Sequence, residues 1–372
     1  MSERRPAASE GHWGELDTLR FLSACLVMGF HYVGTDSHGS RWQLQHGDVY
    51  GFAAWDAVSR LGALGVDLFF FISGFVIAHS ANGARPAAFA ASRFTRLMPT
   101  YWLAVLLTAG GILWAGEGYR SLDGLQVLAN LLCLQRVLGV EFVDGVYWSL
   151  LVEMRFYVLV MLLLVCRQFH HYPRWLGVWA VFVGLDAAGV PLGPLRQALV
   201  LSQAPWFILG GAAWLQTQGR RREAWLLFAA MLSLIVARQY GKYAQHGTVE
   251  GVLAALTVSG MALLVMAVPL GLLPWLRLRH GASLAALTYP LYLLHEDLGF
   301  VLMRELWLGS AGATVAGVAV AALGLAWLVV KAFERPLLPP LRRGLTQRLD
   351  RIAALRRAGP AVAPPNGRWV LP

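Results

Sequence analysis

Apolar runs of nearly 20 residues recur along this chain, beginning with "LDTLRFLSACLVMGFHYV" at 16–33, and short arginine-bearing loops separate them. A helix of about 20 residues crosses a ~30 Å hydrocarbon core. In lipid the backbone must satisfy its own polar groups, so such runs fold as transmembrane helices. Composition agrees, because 57% hydrophobic and 14% charged residues with 15 Trp leave little room for a soluble domain. By hydropathy the expected spans are 16–34, 61–80, 98–116, 147–166, 175–191, 198–216, 224–240, 249–272, 283–303 and 312–331. The fold class is therefore all-α: a polytopic membrane protein with about ten transmembrane helices plus a short re-entrant or interfacial segment, "LQVLANLLCLQRVLG" at 125–139.

Loop charge decides how that segment is read. If 125–139 does not cross, the loops carrying Arg85, Arg93 and Arg96, Arg167 and Arg174, "GRRRE" at 219–223 and "RLRH" at 277–280 all fall on one side, with Arg4, Arg5 and the tail. The positive-inside rule then puts both termini in the cytoplasm. The net charge of +10 is read as this topology signal, and no nucleic-acid partner is expected. Cys25, Cys133 and Cys166 are odd in number and lie in apolar segments, so no disulfide framework is indicated. The first 15 residues form a polar cytoplasmic segment, and the first apolar run is expected to stay as a signal anchor. The membrane domain is placed at 16–336. The tail, 337–372, is expected to break at its prolines, to lie as a basic amphipathic helix on the anionic inner leaflet, and to end in disorder. No repeat of fixed period is visible.

Several ionisable residues interrupt the apolar runs. Arg20 and His31 are 11 positions apart, about three turns, so they share one helix face at depths differing by ~16 Å. Asp67 sits in "GALGVDLFFFISGF" among small residues. Ser149, Glu153 and Tyr157 recur every four residues as one polar stripe, with Trp148 alongside. Thr288, Tyr292 and His295 stack on a face of a run that Pro290 breaks or kinks. A charged group at a helix centre costs about 2.5–3.5 kcal/mol by insertion scales, so these groups are expected to converge on a polar cavity. Snorkelling and a buried structural network are the bland alternatives. Arg93 and Arg96 lie three apart on one helix face, as topology signals or as a fork for phosphate.

In order, the pieces "LDTLRFLSACLVMGFHY", "GVDLFFFISGF", "SRFTRLMPTYW", "YWSLLVEMRFY", "YPLYLLH" and "ERP" at 334–336 resemble the acyltransferase family 3 of integral membrane proteins. Where that pattern often carries proline after the final histidine, this chain has Glu296 and Asp297. The resemblance implies transfer of an acyl group, commonly acetyl from acetyl-CoA, to a hydroxyl of a surface polysaccharide, lipopolysaccharide or related glycan or lipid acceptor. It implies that Arg20 and His31 are essential, that Arg93 and Arg96 help to bind the donor, and that the chain lies in a bacterial inner membrane with cytoplasmic termini. It implies no tightly bound cofactor: acyl-CoA is a donor substrate, and the partners are that donor, a glycan, lipid-linked sugar or small hydroxylated acceptor, and membrane lipids.

On this reading His31 is the general base, since an imidazole is poised near neutral pH. Asp67 or Glu153 orients it, and sequence does not choose between them. Donor and acceptor contacts are expected from Arg20, Arg93, Arg96, Trp148, Ser149, Tyr157, Tyr292 and His295. The main rival is a proton-coupled transporter of a glycan or lipid, which also needs intramembrane His, Asp and Glu but is expected to show paired repeats. A metal hydrolase using His31, Asp67, Glu153 and His295 lacks paired-His spacing, so no metal is expected.

Overall fold

The computed structural model describes residues 13–34, 52, 55–116 and 119–358. Among them every regular element is helical: α1 (Gly14–Val33), α2 (Asp56–Gly62), α3 (Leu64–Ala81), α4 (Pro86–Ala115), α5 (Gly124–Leu131), α6 (Gln135–Leu138), α7 (Tyr147–Val165), α8 (Tyr172–Ala187), α9 (Pro194–Ala198), α10 (Ala204–Thr217), α11 (Arg221–Tyr243), α12 (Thr248–Ala267), α13 (Gly281–Leu294), α14 (Asp297–Glu305) and α15 (Ala311–Leu328). A π-helical segment, Val329–Glu334, then leads into α16 (Arg335–Ala358). The polar N-terminal segment before Trp13, and the disorder expected past residue 358, lie outside the described residues.

Among the described residues six helical stretches are long and apolar enough to cross a membrane: Ala57–Ala81, Pro86–Ala115, Tyr147–Val165, Arg221–Tyr243, Thr248–Ala267 and Ala311–Ile352. The protein is therefore a polytopic membrane protein. The four other expected spans take different forms. The first, α1, carries Glu15, Asp17 and Arg20 in its opening turns. The span expected at 175–191 is the 16-residue α8. The 14-residue α10 is buried over nearly its whole surface, so its surroundings are other helices. The run expected at 283–303 is two helices, and its break falls at His295–Glu296 rather than at Pro290, which sits inside α13. At Pro290 the helix forgoes one backbone bond and continues. The 125–139 segment forms helices of 8 and 4 residues, about 12 and 6 Å long.

Close packing fixes the relative placement of these helices. Where α3 crosses α10, a methyl group on Gly74 would collide with the Phe207 carbonyl, and one on Gly210 with the Phe71 carbonyl. Only hydrogen fits there, and small residues let helix backbones approach in this way. Phe71, Phe75, Phe156 and Phe207 fill the surrounding core. At its start α1 is tied down by Glu15, which pairs with Arg277 at 2.6 Å, and by Thr18, whose hydroxyl donates to the Leu276 carbonyl at 2.7 Å. At its far end Tyr32 donates to the His295 carbonyl at 2.7 Å. Helix α1 thus lies along α13 with its two ends fixed.

Candidate active site

Fixing α1 against α13 sets the two intramembrane histidines face to face. His31 Nδ1 lies 2.8 Å from His295 Nε2, and the rings are 5.0 Å apart at 25°. His295 Nδ1 faces the Tyr292 and Leu291 carbonyl oxygens at 2.9 and 3.2 Å. A carbonyl only accepts, so Nδ1 of neutral His295 carries its proton and Nε2 has the lone pair. His31 Nδ1–H then donates to that lone pair. Neutral His31 is left with a basic Nε2, and His295 fixes its tautomer.

Among the described residues, the Glu296 carboxylate approaches that nitrogen, with Oε1 3.9 Å from His31 Nε2. The carboxyl oxygens of Glu296 press on Gly145, where an added Cβ would stand 2.6 Å from Oε2. Asp144 accepts from the Asp297 amide at 3.2 Å, and Asp297 accepts from Tyr119 at 3.0 Å and from the Gly145 amide at 3.3 Å. In the loop before α7, burial, with Asp297 and Glu296 alongside, holds the Asp144 carboxyl well above the ordinary carboxylate range. Sequence reading treated Glu296 and Asp297 only as departures from a pattern, and it passed over Asp144, which lies far away in the chain.

At the other end of the bundle is a cavity of about 1020 Å³. Its lining brings together seven of the expected residues, Arg20, Arg93, Arg96, Ser149, Glu153, Tyr157 and Tyr292, with Thr288. The Ser149–Glu153–Tyr157 stripe therefore faces one chamber, as its four-residue spacing requires. Glu153 accepts from Ser73 at 2.8 Å and from Tyr157 at 2.6 Å. The Arg93 guanidinium lies over the Tyr157 ring at 5.8 Å and the Arg96 guanidinium over Tyr289 at 5.8 Å. The aromatic faces hold both cations in place.

Ser149 and Tyr292 close the chamber on the histidine side. Their hydroxyls are 2.7 Å apart, and Ser149 donates to the Val146 carbonyl at 2.9 Å. Serine has a single hydroxyl proton, so Tyr292 donates to Ser149. Beyond them the Tyr292 ring is 5.8 Å from the His295 ring. His295 is fully buried and His31 is 9% exposed.

Two expected site residues, Asp67 and Trp148, stand apart from the chamber. Asp67 accepts from Gln239 of α11 at 3.0 Å. Glu153 meets Ser73 and Tyr157, so neither carboxylate weighed as a partner for His31 holds its Nδ1. Trp148 packs edge-on against Phe70 at 6.0 Å as part of the core surface. Sequence reading gave "ERP" no role. Glu334 accepts from Thr100 of α4 at 2.7 Å and so ties the start of the last helix to the chamber wall. That helix does not break at its prolines: Pro339 and Pro340 lie within it, and Arg342 and Arg343 line the chamber. Among the described residues no group of three or more His, Cys, Asp or Glu side chains is arranged to hold a metal ion.

Comparison with known proteins places these features. The chain is 29% identical over 201 residues to Nodulation protein 10 of Rhizobium leguminosarum bv. viciae, covering 49% of this chain and 51% of that protein. It is 24% identical over 242 residues to BcsY of Komagataeibacter xylinus, provisionally named a membrane-bound transacylase, covering 60% of this chain and 56% of the other. Over 103 residues it is 37% identical to the exopolysaccharide production protein ExoZ of Rhizobium meliloti strain 1021, covering 25% and 29%. The chain thus spans about half the length, or less, of the curated relatives it matches. No solved structure matches it at a comparable level. The profile described as an acyltransferase domain, acyltransferase 3, matches residues 13–331, a stretch that contains the histidine pair and most of the arginine-lined chamber: the chain belongs to the acyltransferase 3 family.

Proposed function

We propose that the protein is an O-acyltransferase of the bacterial inner membrane, both termini cytoplasmic, that moves an acyl group from acyl-CoA, acetyl-CoA foremost, to a hydroxyl of a cell-envelope glycan. The observation that carries the reading is the hydrogen-bonded His31–His295 pair, separated by the Ser149–Tyr292 contact from a chamber lined with arginines. The fixed tautomer puts the lone pair of neutral His31 on Nε2, and that nitrogen takes the acceptor's hydroxyl proton as its oxygen attacks the thioester carbonyl. The C–S bond then breaks, and the thiolate recovers the proton from the imidazolium. His295 holds Nδ1 of His31, the place of the third member of a triad, and Glu296 lies 3.9 Å from Nε2. Arginines at the chamber wall match the phosphates of CoA, and the ~16 Å of helix between Arg20 and His31 suits a long, slim, uncharged arm between phosphate and reacting carbonyl. Family membership, with an exopolysaccharide production protein among the relatives, supports a glycan acceptor.

The test compares envelope glycans, lipids and secreted metabolites by mass spectrometry in a deletion strain, the same strain carrying the wild-type gene, and the same strain carrying His31→Ala at equal level. An ester-linked acyl group restored by wild type alone is the expected outcome. Full restoration by His31→Ala overturns the base assignment. If no acyl difference accompanies altered export of a glycan or lipid, the chain transports rather than acylates.

A further inference from the structure

The last helix lies along one wall of the chamber, held to α4 at two points. Thr100 bonds to Glu334 at 2.7 Å, and Arg85 pairs with Asp350 at 2.8 Å. From Arg85 to Thr100 is 15 residue steps along α4, and from Glu334 to Asp350 is 16 steps along α16. At 1.5 Å per residue those runs are about 22 and 24 Å. Matching lengths place α16 antiparallel to α4 across the chamber, with Arg85 and Asp350 at its outer edge. Arg342 and Arg343 are then level with Ser92 and Arg93, about one turn nearer the outer edge than Arg96.

This arrangement gives the chamber cations at two depths and in excess, since Arg20, Arg85, Arg93, Arg96, Arg342 and Arg343 share its lining with only Glu153 and Asp350. Of the two carboxylates in the lining, Asp350 is taken by Arg85 and Glu153 by Ser73 and Tyr157. Among the described residues no ion pair joins Arg93, Arg96, Arg342 or Arg343 to a carboxylate. Like charges crowded on facing walls repel, and an anion between them reverses the sign. CoA carries two separate anionic groups in that order: a diphosphate next to the arm, and farther out a monophosphate on the ribose.

We propose that α16 is the second wall of the donor site and that Arg342 and Arg343 recognise the ribose monophosphate, while Arg96 and its neighbours take the diphosphate. The inference rests on the acyl-CoA reading above and adds a selection rule to it: the protein distinguishes CoA from dephospho-CoA, which lacks only that monophosphate.

The test measures equilibrium binding of CoA and of dephospho-CoA to the purified full chain in nanodiscs of zwitterionic lipid. Wild type is expected to prefer CoA by about 10- to 100-fold, the range for a lost charge-assisted contact. In Arg342→Gln/Arg343→Gln the preference falls to near one while dephospho-CoA binds as before, and Arg342→Lys/Arg343→Lys keeps part of it. Equal binding of both ligands by wild type overturns the selection rule and leaves the acyl-CoA reading standing. Binding of neither, by chain that still transfers acyl groups, refutes the acyl-CoA reading itself. Parallel loss of both ligands in the Gln variant also overturns the rule. If instead the arginine pair serves a lipid headgroup, wild type retains more anionic lipid through purification than the Gln variant and shows no preference for CoA, which again overturns it.

Discussion

A single hydrogen bond sets the chemistry available to His31. Because both carbonyls beside His295 Nδ1 can only accept, the orientation of two rings follows from one turn of α13. His295→Ala is expected to lower kcat by about 10- to 100-fold, less than the roughly 10²- to 10⁴-fold that acid–base catalysis contributes, because the base is misoriented rather than removed, with KM for the donor little changed. His295→Gln keeps more activity than Ala, since its amide oxygen accepts from His31 Nδ1–H. Steady-state kinetics with matched expression checks this, and equal loss in both variants counts against the tautomer argument. Sequence made the histidine legible through its spacing from Arg20. It did not make the partner legible: Asp67 and Glu153 were the carboxylates weighed, whereas the contact at His31 Nδ1 joins residues 264 positions apart. Glu296 was visible only as an odd residue after "YLLH", because its meaning comes from Asp144 and Gly145 on another segment.

At the scale of helices, periodicity predicted faces well and ends poorly. The Ser149–Glu153–Tyr157 stripe faces one chamber because a four-residue spacing is a geometric property of the helix itself. Helix length in this bundle is instead a tertiary property, as α10 illustrates with 14 residues surrounded by protein. Its contact with α3 depends on two glycines that hydropathy does not register. Gly74→Val and Gly210→Val should each destabilise the chain by about 1–3 kcal/mol or more through overpacking. Gly184→Ala on α8, whose added methyl meets open space, leaves stability unchanged or raised. Thermal unfolding in detergent reads the difference, and a tolerant Gly210→Val refutes the close crossing. The prolines of α16 taught the opposite lesson, since helix persists through them beside a π-helical segment, a feature frequent at functional sites.

For the molecule as a whole, the distribution of arginines among loops carries the topology. Segment 125–139 folds as two short helices of 8 and 4 residues, each shorter than a single crossing needs. Reporter fusions within 140–146 and within 219–223 are therefore expected to read opposite sides of the membrane, the first outside and the second inside. The same reading at both positions means that 125–139 crosses and that every later loop inverts. Loop charge was legible because it is a sum over many residues. The chamber was legible only as an expectation that polar groups converge, since its second wall comes from a tail that composition assigned to the membrane surface.

The Ser149–Tyr292 bond has an electrical consequence. A chamber lined by arginines is a well of aqueous character sunk into an insulating layer, and its floor is one pair of hydroxyls backed by buried aromatic rings. Charge entering at the arginine end stops there. Any voltage across the membrane then falls between this floor and the opposite face of the protein, a span that includes the two histidines.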